Sequence, residues 1–222
     1  MATLLLRLAA PLQSWGSDSK FETRKTDREP TKSGVIGMLA AALGLHRDDT
    51  AGLARLNKLR YAVRVDREGS LLVDYHTASR EGKSYVTYRH YLQDAVFLAA
   101  LESDDAELLQ EIETALHYPI YSLYLGRRSC PPTLPLCLGI RQESLPDVLQ
   151  NEPPLVQTSR KTPLRIVADA DPADAAAVPR HDRPVSFSPI HRQYGYRPVR
   201  EWIVQQPNLP EPTEHDAMAE LR

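Results

Sequence analysis

Between residues 75 and 91 the chain interleaves rings with cations: Tyr75, Tyr85, Tyr88 and Tyr91 stand among His76, Arg80, Lys83, Arg89 and His90. Read as extended chain, Tyr85, Thr87, Arg89 and Tyr91 share one face, and Val86, Tyr88, His90 and Leu92 the other. Bases stack on rings while cations follow a phosphate backbone, so the pattern suits single-stranded nucleic acid. The plainer account is a surface hairpin with tyrosines at strand positions. A second segment, Pro11-Leu-Gln-Ser-Trp-Gly16, joins the amide of Gln13, the hydroxyl of Ser14 and the ring of Trp15. Trp15 either stacks on a base or anchors the loop in the core. Lys20, Arg24, Lys25, Arg28 and Lys32 make the approach to the following helix positive. With Thr31 and Ser33 at its start, that helix also offers backbone N–H groups to a phosphate.

The third segment is Tyr124-Leu-Gly-Arg-Arg-Ser-Cys-Pro131, where Gly126 adjoins Arg127, Arg128 and Ser129. Such a loop can bring backbone donors and guanidinium groups to one phosphate, although an exposed turn has the same composition. The fourth, Arg180 to Arg200, includes Arg183, His191, Arg192, Tyr194 and Arg197. It suits RNA, a protein neighbour, or plain solvated surface.

The overall charge of −2 hides a segregation that matters more than the total. Glu102 to Glu113 holds six acids and no base, whereas Arg180 to Arg200 holds five arginines and one aspartate. Those in and before the first turn of a predicted helix favour its dipole, and the cluster reads as a solvated face and not as converging carboxylates for a two-metal nuclease. Cys130 and Cys137 are too few for a disulfide framework and lack the sequence neighbours of a zinc site, which fits a reducing cytoplasm. No window reaches the length of a membrane span, and Met1 to Ala10 lacks the form of a signal peptide. Neither a metal nor any cofactor is implied.

Several elements must position these segments. Thr3 to Leu8 reads as a strand, followed by a polar loop to Pro30 and a helix through Gly44. In that helix Gly34, Gly37, Ala41 and Gly44 make one small-residue face, which fits tight packing on a sheet better than contact with RNA. Strands are expected at Leu59 to Val65, from Leu71 to His76, and at Ala95 to Leu101. A helix capped by Asp104 or Asp105 follows, with Leu108, Leu109, Ile112, Ala115 and Leu116 on its apolar face. This order of strand, helix, strand, insertion, strand, helix, strand is that of a ferredoxin-like α+β fold. Beyond residue 141 the pattern weakens. Pro153-Pro154 and Ala168 to Pro179 read as linkers, with short strands at Leu164 to Ala168, Val185 to Phe187 and Val199 to Val204.

Taken in order, Leu6-Arg-Leu-Ala-Ala-Pro-Leu-Gln-Ser-Trp-Gly16, Pro30-Thr-Lys-Ser-Gly-Val-Ile-Gly37 and Leu43-Gly-Leu-His-Arg-Asp-Asp49 resemble the CasD family of type I-E CRISPR Cascade. So do Asp74-Tyr-His-Thr77, Arg89-His-Tyr-Leu92, Tyr124 to Pro131 and Arg200-Glu-Trp202. The resemblance implies a ferredoxin-like (RAMP/RRM-like) domain over 1–140 with a thumb β-hairpin inserted at about 77–89. It further implies a small C-terminal β region over 141–204, and a mobile tail is expected over 205–222. Members of the family cap the 5′ handle of the CRISPR RNA (crRNA), contact the adjacent backbone subunit, and meet target DNA through the complex. Its other expected neighbour is the large PAM-reading subunit. On this reading the RNA-binding set is Gln13, Ser14, Trp15, Arg24, Lys32, Ser33, His76, Arg80, Lys83, Tyr85, Arg89, Tyr124, Gly126, Arg127, Arg128 and Ser129.

Two other functions compete. Relatives in a sister subtype cut precursor crRNA without metal through tyrosine, lysine and histidine. His76, Lys83 and Tyr85, or His117 with Tyr118, are the corresponding residue types here. The seven histidines are scattered and without a spaced partner, which favours a non-catalytic subunit. A pure scaffold, whose cations meet acidic protein faces, is the third possibility.

Overall fold

Side-chain alternation along the first strand divides the interior in two. The computed structural model describes residues 1–16, 22–80, 82–156 and 163–205, without the side chains of Arg80 and Lys83. In β1 (Ala2–Ala9), Leu4, Leu6 and Leu8 join one apolar cluster while Leu5 joins the other. A strand covered on both faces needs this nearly continuous apolar sequence. Three helices supply the first cluster: α1 (Lys32–Ala42), α2 (Thr50–Leu56) and α3 (Ala106–His117). The second cluster takes Leu145, Val148 and Leu149 from α4 (Leu145–Asn151).

On one side β1 pairs with β8 (Cys137–Arg141), and on the other with β7 (Val96–Ser103). Beyond β7 come β4 (Arg60–Arg67), β9 (Leu164–Asp169), β11 (Gln193–Val204) and β10 (Val178–Ser186). Every pairing in this seven-stranded sheet is antiparallel. The fold is therefore α+β. The strands after residue 163 extend the same sheet, with Ala62 to Val65 of β4 pairing against Arg165 to Ala168. Only residues 170–177 of the proline- and alanine-rich stretch connect strands; its ends are strand residues. Of the tail expected over 205–222, residues 206–222 lie outside the described residues.

The two expected helix starts are capped as their sequences imply. Thr31 Oγ1 accepts from the Gly34 N–H at 3.2 Å, and Asp105 Oδ1 from Leu108 at 2.9 Å. The sequence reading did not anticipate α2 or α4, because seven residues are too few to establish a helical period. The small-residue face of α1 meets aromatic rings. Gly34 lies under Trp15, where an added Cβ would stand 2.9 Å from the ring, and Gly37 adjoins Phe187.

A second, smaller sheet carries the ring-and-cation segment. There β5 (Ser70–Arg80) pairs with β6 (Lys83–Gln93) along its whole length. On the opposite edge of β6 lie β2 (Leu12–Gln13), antiparallel, and β3 (Thr23–Arg24), parallel. At the base Tyr91 and Leu92 are both buried, so each face of the hairpin is covered there. Farther out Tyr75, Tyr85 and Tyr88 are exposed, and Tyr75 meets Tyr88 edge to face at 5.7 Å. Among the described residues no helix is long and apolar enough to cross a membrane.

Candidate nucleic-acid interface

Five short stretches converge on a cleft of about 480 Å³ beside the first turn of α1. Ser14, Trp15 and Gly16 line it after β2, with Arg24 at the end of β3 and Lys25 directly after it. Thr31, Ser33 and Gly34 form the helix side, Gly126 and Arg127 a third wall, and Arg192 of the β10–β11 connection and Tyr194 at the start of β11 close it. The second, third and fourth candidate segments thus share one site. Its described lining holds four cations and no carboxylate. A concave surface of one charge sign concentrates its field, which here favours an anion.

Gly126 determines the shape of the third wall. It has φ +87°, and a Cβ there would collide with the Ser14 carbonyl oxygen. The close approach is held by the Ser14 N–H donating to Leu125 at 3.2 Å and the Leu125 N–H to Cys130 at 2.7 Å. The turn delivers Arg127 to the cleft. Its Nη2 donates to the Arg24 carbonyl at 2.7 Å, and its guanidinium lies 4.6 Å from the centre of the Tyr91 ring. Burial pushes the Tyr91 phenol up, but hydrogen bonds with Ser129 and Arg127 and the Arg127 charge outweigh it, leaving the pKa below the usual phenol value. Nη1 of Arg127 is buried with no hydrogen-bond partner among the described residues. A buried donor of this kind costs stability unless something accepts from it.

The hairpin and the cleft meet along β3. Arg24 stands opposite Arg89 in the β3–β6 register, and Arg89 opposite Asp74 in the β5–β6 register. Arg89 Nε is also buried without a partner among the described residues. His76 is half-buried and shares a hairpin face with exposed Tyr85. Arg80 and Lys83 stand at the hairpin's end, their side chains outside the description.

Three expected contact residues belong to the interior instead. Trp15 is 1% exposed and its Nε1 donates to Gln13 Oε1 at 3.0 Å. Gln13, fully buried, donates through Nε2 to the carbonyls of Leu8 and Ala95. Together they anchor the loop, which decides the question about Trp15 in favour of core. Lys32 is buried as well, its Nζ bonded to Asp169 at 2.7 Å and to the Leu59 carbonyl at 2.8 Å. Nor is the helix start open to a phosphate through the amides of residues 32 and 34. The Lys32 N–H donates to Asp182 and the Gly34 N–H to Thr31. Asp182 is thus the anion that meets the positive end of α1.

Of the remaining expected residues, Ser14 is buried and donates to the His90 carbonyl at 3.2 Å, and Ser33 is half-buried in the cleft wall. Tyr124 is half-buried, and Arg128 and Ser129 are exposed on the turn. Lys20 lies outside the described residues. Arg197, which the sequence places in a basic surface segment, is locked to Asp182 and Asp169. Tyr91, Lys25, Arg192 and Tyr194 were absent from the expected set although each lines or braces the cleft. Tyr91 had a signal, its place in the aromatic run. Lys25, Arg192 and Tyr194 stood in basic stretches that the sequence singles out, but their place in the cleft depends on which distant stretches come together.

An α+β sheet protein with a long aromatic hairpin beside a cationic cleft is the class defined so far, and comparison with known proteins specifies it. The family described as CRISPR-associated protein (Cas_Cas5) matches residues 3–200, and the chain belongs to that family. It is 42% identical over 172 residues to the CRISPR system Cascade subunit CasD of Escherichia coli (strain K12), covering 68% of this chain and 77% of that one. A solved structure described as a Cas protein superposes with TM-score 0.75 at 38% identity, covering 92% of this chain and 95% of its own. A chain of a CRISPR RNA-guided surveillance complex does so with TM-score 0.78 at 34% identity, covering 92% and 91%.

Proposed function

We propose that this protein is a non-catalytic subunit of a type I-E Cascade surveillance complex, and that its cleft holds the 5′ handle of the crRNA. The observation that carries the reading is the cleft itself: Arg24, Arg127 and Arg192 converge with no opposing carboxylate in the described lining. Phosphates answer such a surface, and the unpartnered Nη1 of Arg127 needs an acceptor. Membership of the family and the likeness to a surveillance-complex chain support the same assignment.

The β4-β7-β1-β8 order, with α1 joining β1 to β4 and α3 joining β7 to β8, supports a ferredoxin-like core. On that core β5–β6 is the thumb, reaching the adjacent backbone subunit while the large PAM-reading subunit binds elsewhere and target DNA is met through the complex. Two thiols without a disulfide fit the cytoplasm. Cleavage is not part of the proposal. No histidine or carboxylate stands in the described lining of the cleft, the residue types that most often serve as general acid or base.

The test is a titration of labelled 5′-handle RNA against the assembled complex at two salt concentrations. Arg127→Ala should weaken binding by about 1.5–3 kcal/mol, the range for a charged hydrogen bond, and flatten the salt dependence. Unchanged affinity in that variant would favour a scaffold role. Metal-independent cutting that disappears in His76→Ala would sink the non-catalytic assignment.

A further inference from the structure

Far from the cleft in sequence role, the last turn of α3 faces the edge strand β8. Glu113 and His117 are four residues apart on α3 and therefore on one face of it. Cys137 begins β8, and one ligand atom from each of these three residues lies within 4.8 Å of the others. The sequence reading saw only that Cys137 has no chelating neighbour along the chain; the fold supplies two across it.

The backbone shows why the thiol faces the helix. The β1–β8 register shifts between Leu5, opposite Gly139, and Leu6, opposite Cys137. Without this bulge Leu138 would stand opposite Leu6. With it, Cys137 and Ile140 both pack on the helix-side cluster and Leu138 packs on the other. Bulges commonly serve to re-aim a side chain next to a functional site. One carboxylate oxygen of Glu113 is oriented by Gln110, whose Nε2 donates to Oε2 at 2.8 Å. Outer hydrogen bonds of this kind fix ligating carboxylates in metal sites. Cys137 is free, half-buried and next to open surface, while His117 is exposed and can turn inward.

We propose that Glu113, His117 and Cys137 form a three-residue site for a borderline-soft divalent cation, zinc foremost. Sulfur, imidazole and carboxylate together match zinc, with water as the fourth ligand. Bonds of about 2.0–2.3 Å place tetrahedral ligands roughly 3.3–3.7 Å apart, so small rotamer changes close the site. On binding, the thiol proton goes to solvent and the thiolate takes its place as ligand. The ion ties His117 to Cys137 and so clamps both ends of the loop 118–136, which carries Gly126 to Ser129. The metal acts as a brace for that loop, and the site stands whether or not the cleft binds RNA.

Cobalt(II), a spectroscopic substitute for zinc, tests this on the purified full chain. One equivalent should bind with a thiolate-to-cobalt charge-transfer band, and zinc should displace it. His117→Ala alters an exposed residue and leaves the fold intact; it should weaken cobalt and zinc binding about tenfold or more. Cys137→Ser should abolish the band, and Cys130→Ser should leave it unchanged. Zinc should raise the melting temperature of the natural chain and not of His117→Ala. The proposal is overturned if no thiolate band forms, if His117→Ala binds both metals unchanged, or if the band follows Cys130.

Discussion

The two sides of the α1 start contain the same kinds of residue in opposite electrostatic states. Behind the helix, Lys32 and Arg197 are buried among Asp169 and Asp182, with Arg197 gripping Asp182 through two nitrogens at 2.6 and 2.9 Å. Asp169 also accepts from the Tyr61 N–H, and Arg197 lies over the Tyr61 ring. These charges join α1, β4, β9, β10 and β11, and none is left to attract a ligand. In front of the helix, Arg24, Arg127 and Arg192 face a cleft with no acid in its described lining. A cation becomes a binding group when the fold withholds its carboxylate. That condition separates Lys32 from Arg127, although both looked alike as candidates.

The largest effect should come from breaking the buried side. Asp182→Ala leaves the buried cations Arg197 and Lys32 to share Asp169 and takes the acceptor from the Lys32 N–H, and removal of one partner from a buried pair costs roughly 3–5 kcal/mol. Urea unfolding should show the loss, and an unshifted midpoint would erase the contrast between the two sides. Gly126→Ala forces a side chain into the left-handed region and against Ser14, for roughly 1–3 kcal/mol of strain. Because the strain moves Arg127, guide affinity should fall with stability in this variant, whereas Arg127→Ala should lower affinity alone. Arg192→Gln is expected to leave unfolding unchanged and to reduce the slope of log affinity against log salt by about 0.7, one single-strand phosphate contact.

The smallest effect concerns pH. The Tyr91 phenol titrates below its unfolded value of about 10, so its ionised form favours the folded chain above that pH, and the contribution disappears as pH falls through the folded pKa. The stability of the natural chain relative to Tyr91→Phe should therefore rise on going alkaline, as measured by urea midpoints across a pH series. A difference that shrinks instead would mean that burial outweighs Arg127 and Ser129.

Much of the architecture was legible because it rests on local rules. The apolar runs of β1 and β7 and the caps at Thr31 and Asp105 reflect burial and hydrogen-bond satisfaction within a few residues, as does the period of α3. The short helices α2 and α4 fell below the length at which a period can be recognised. The convergence of Gly126 and Arg127 with Trp15 was hidden for another reason: Gly126 reads as any turn glycine until Ser14 is seen against it. Tyr91 was visible as one ring in a run, but its role in holding Arg127 depends on the Gly126 turn.

By itself, the sequence determined the order of the longer strands and helices up to α3, the aromatic hairpin, the stretches rich in positive charge and, through its ordered motifs, the family. Tertiary structure alone decided which charges are available. Lys32, Arg197 and the α1 amides of residues 32 and 34 meet Asp182, Asp169 or Thr31, while Arg127 meets the Arg24 carbonyl and the Tyr91 phenol and, among the described residues lining the cleft, no carboxylate. The reason is physical: desolvation makes a buried charge find its counterion inside the chain. For Lys32 the counterion lies 137 positions away and for Arg197 it stands on neighbouring strands 15 and 28 positions off, and no local pattern encodes those pairings.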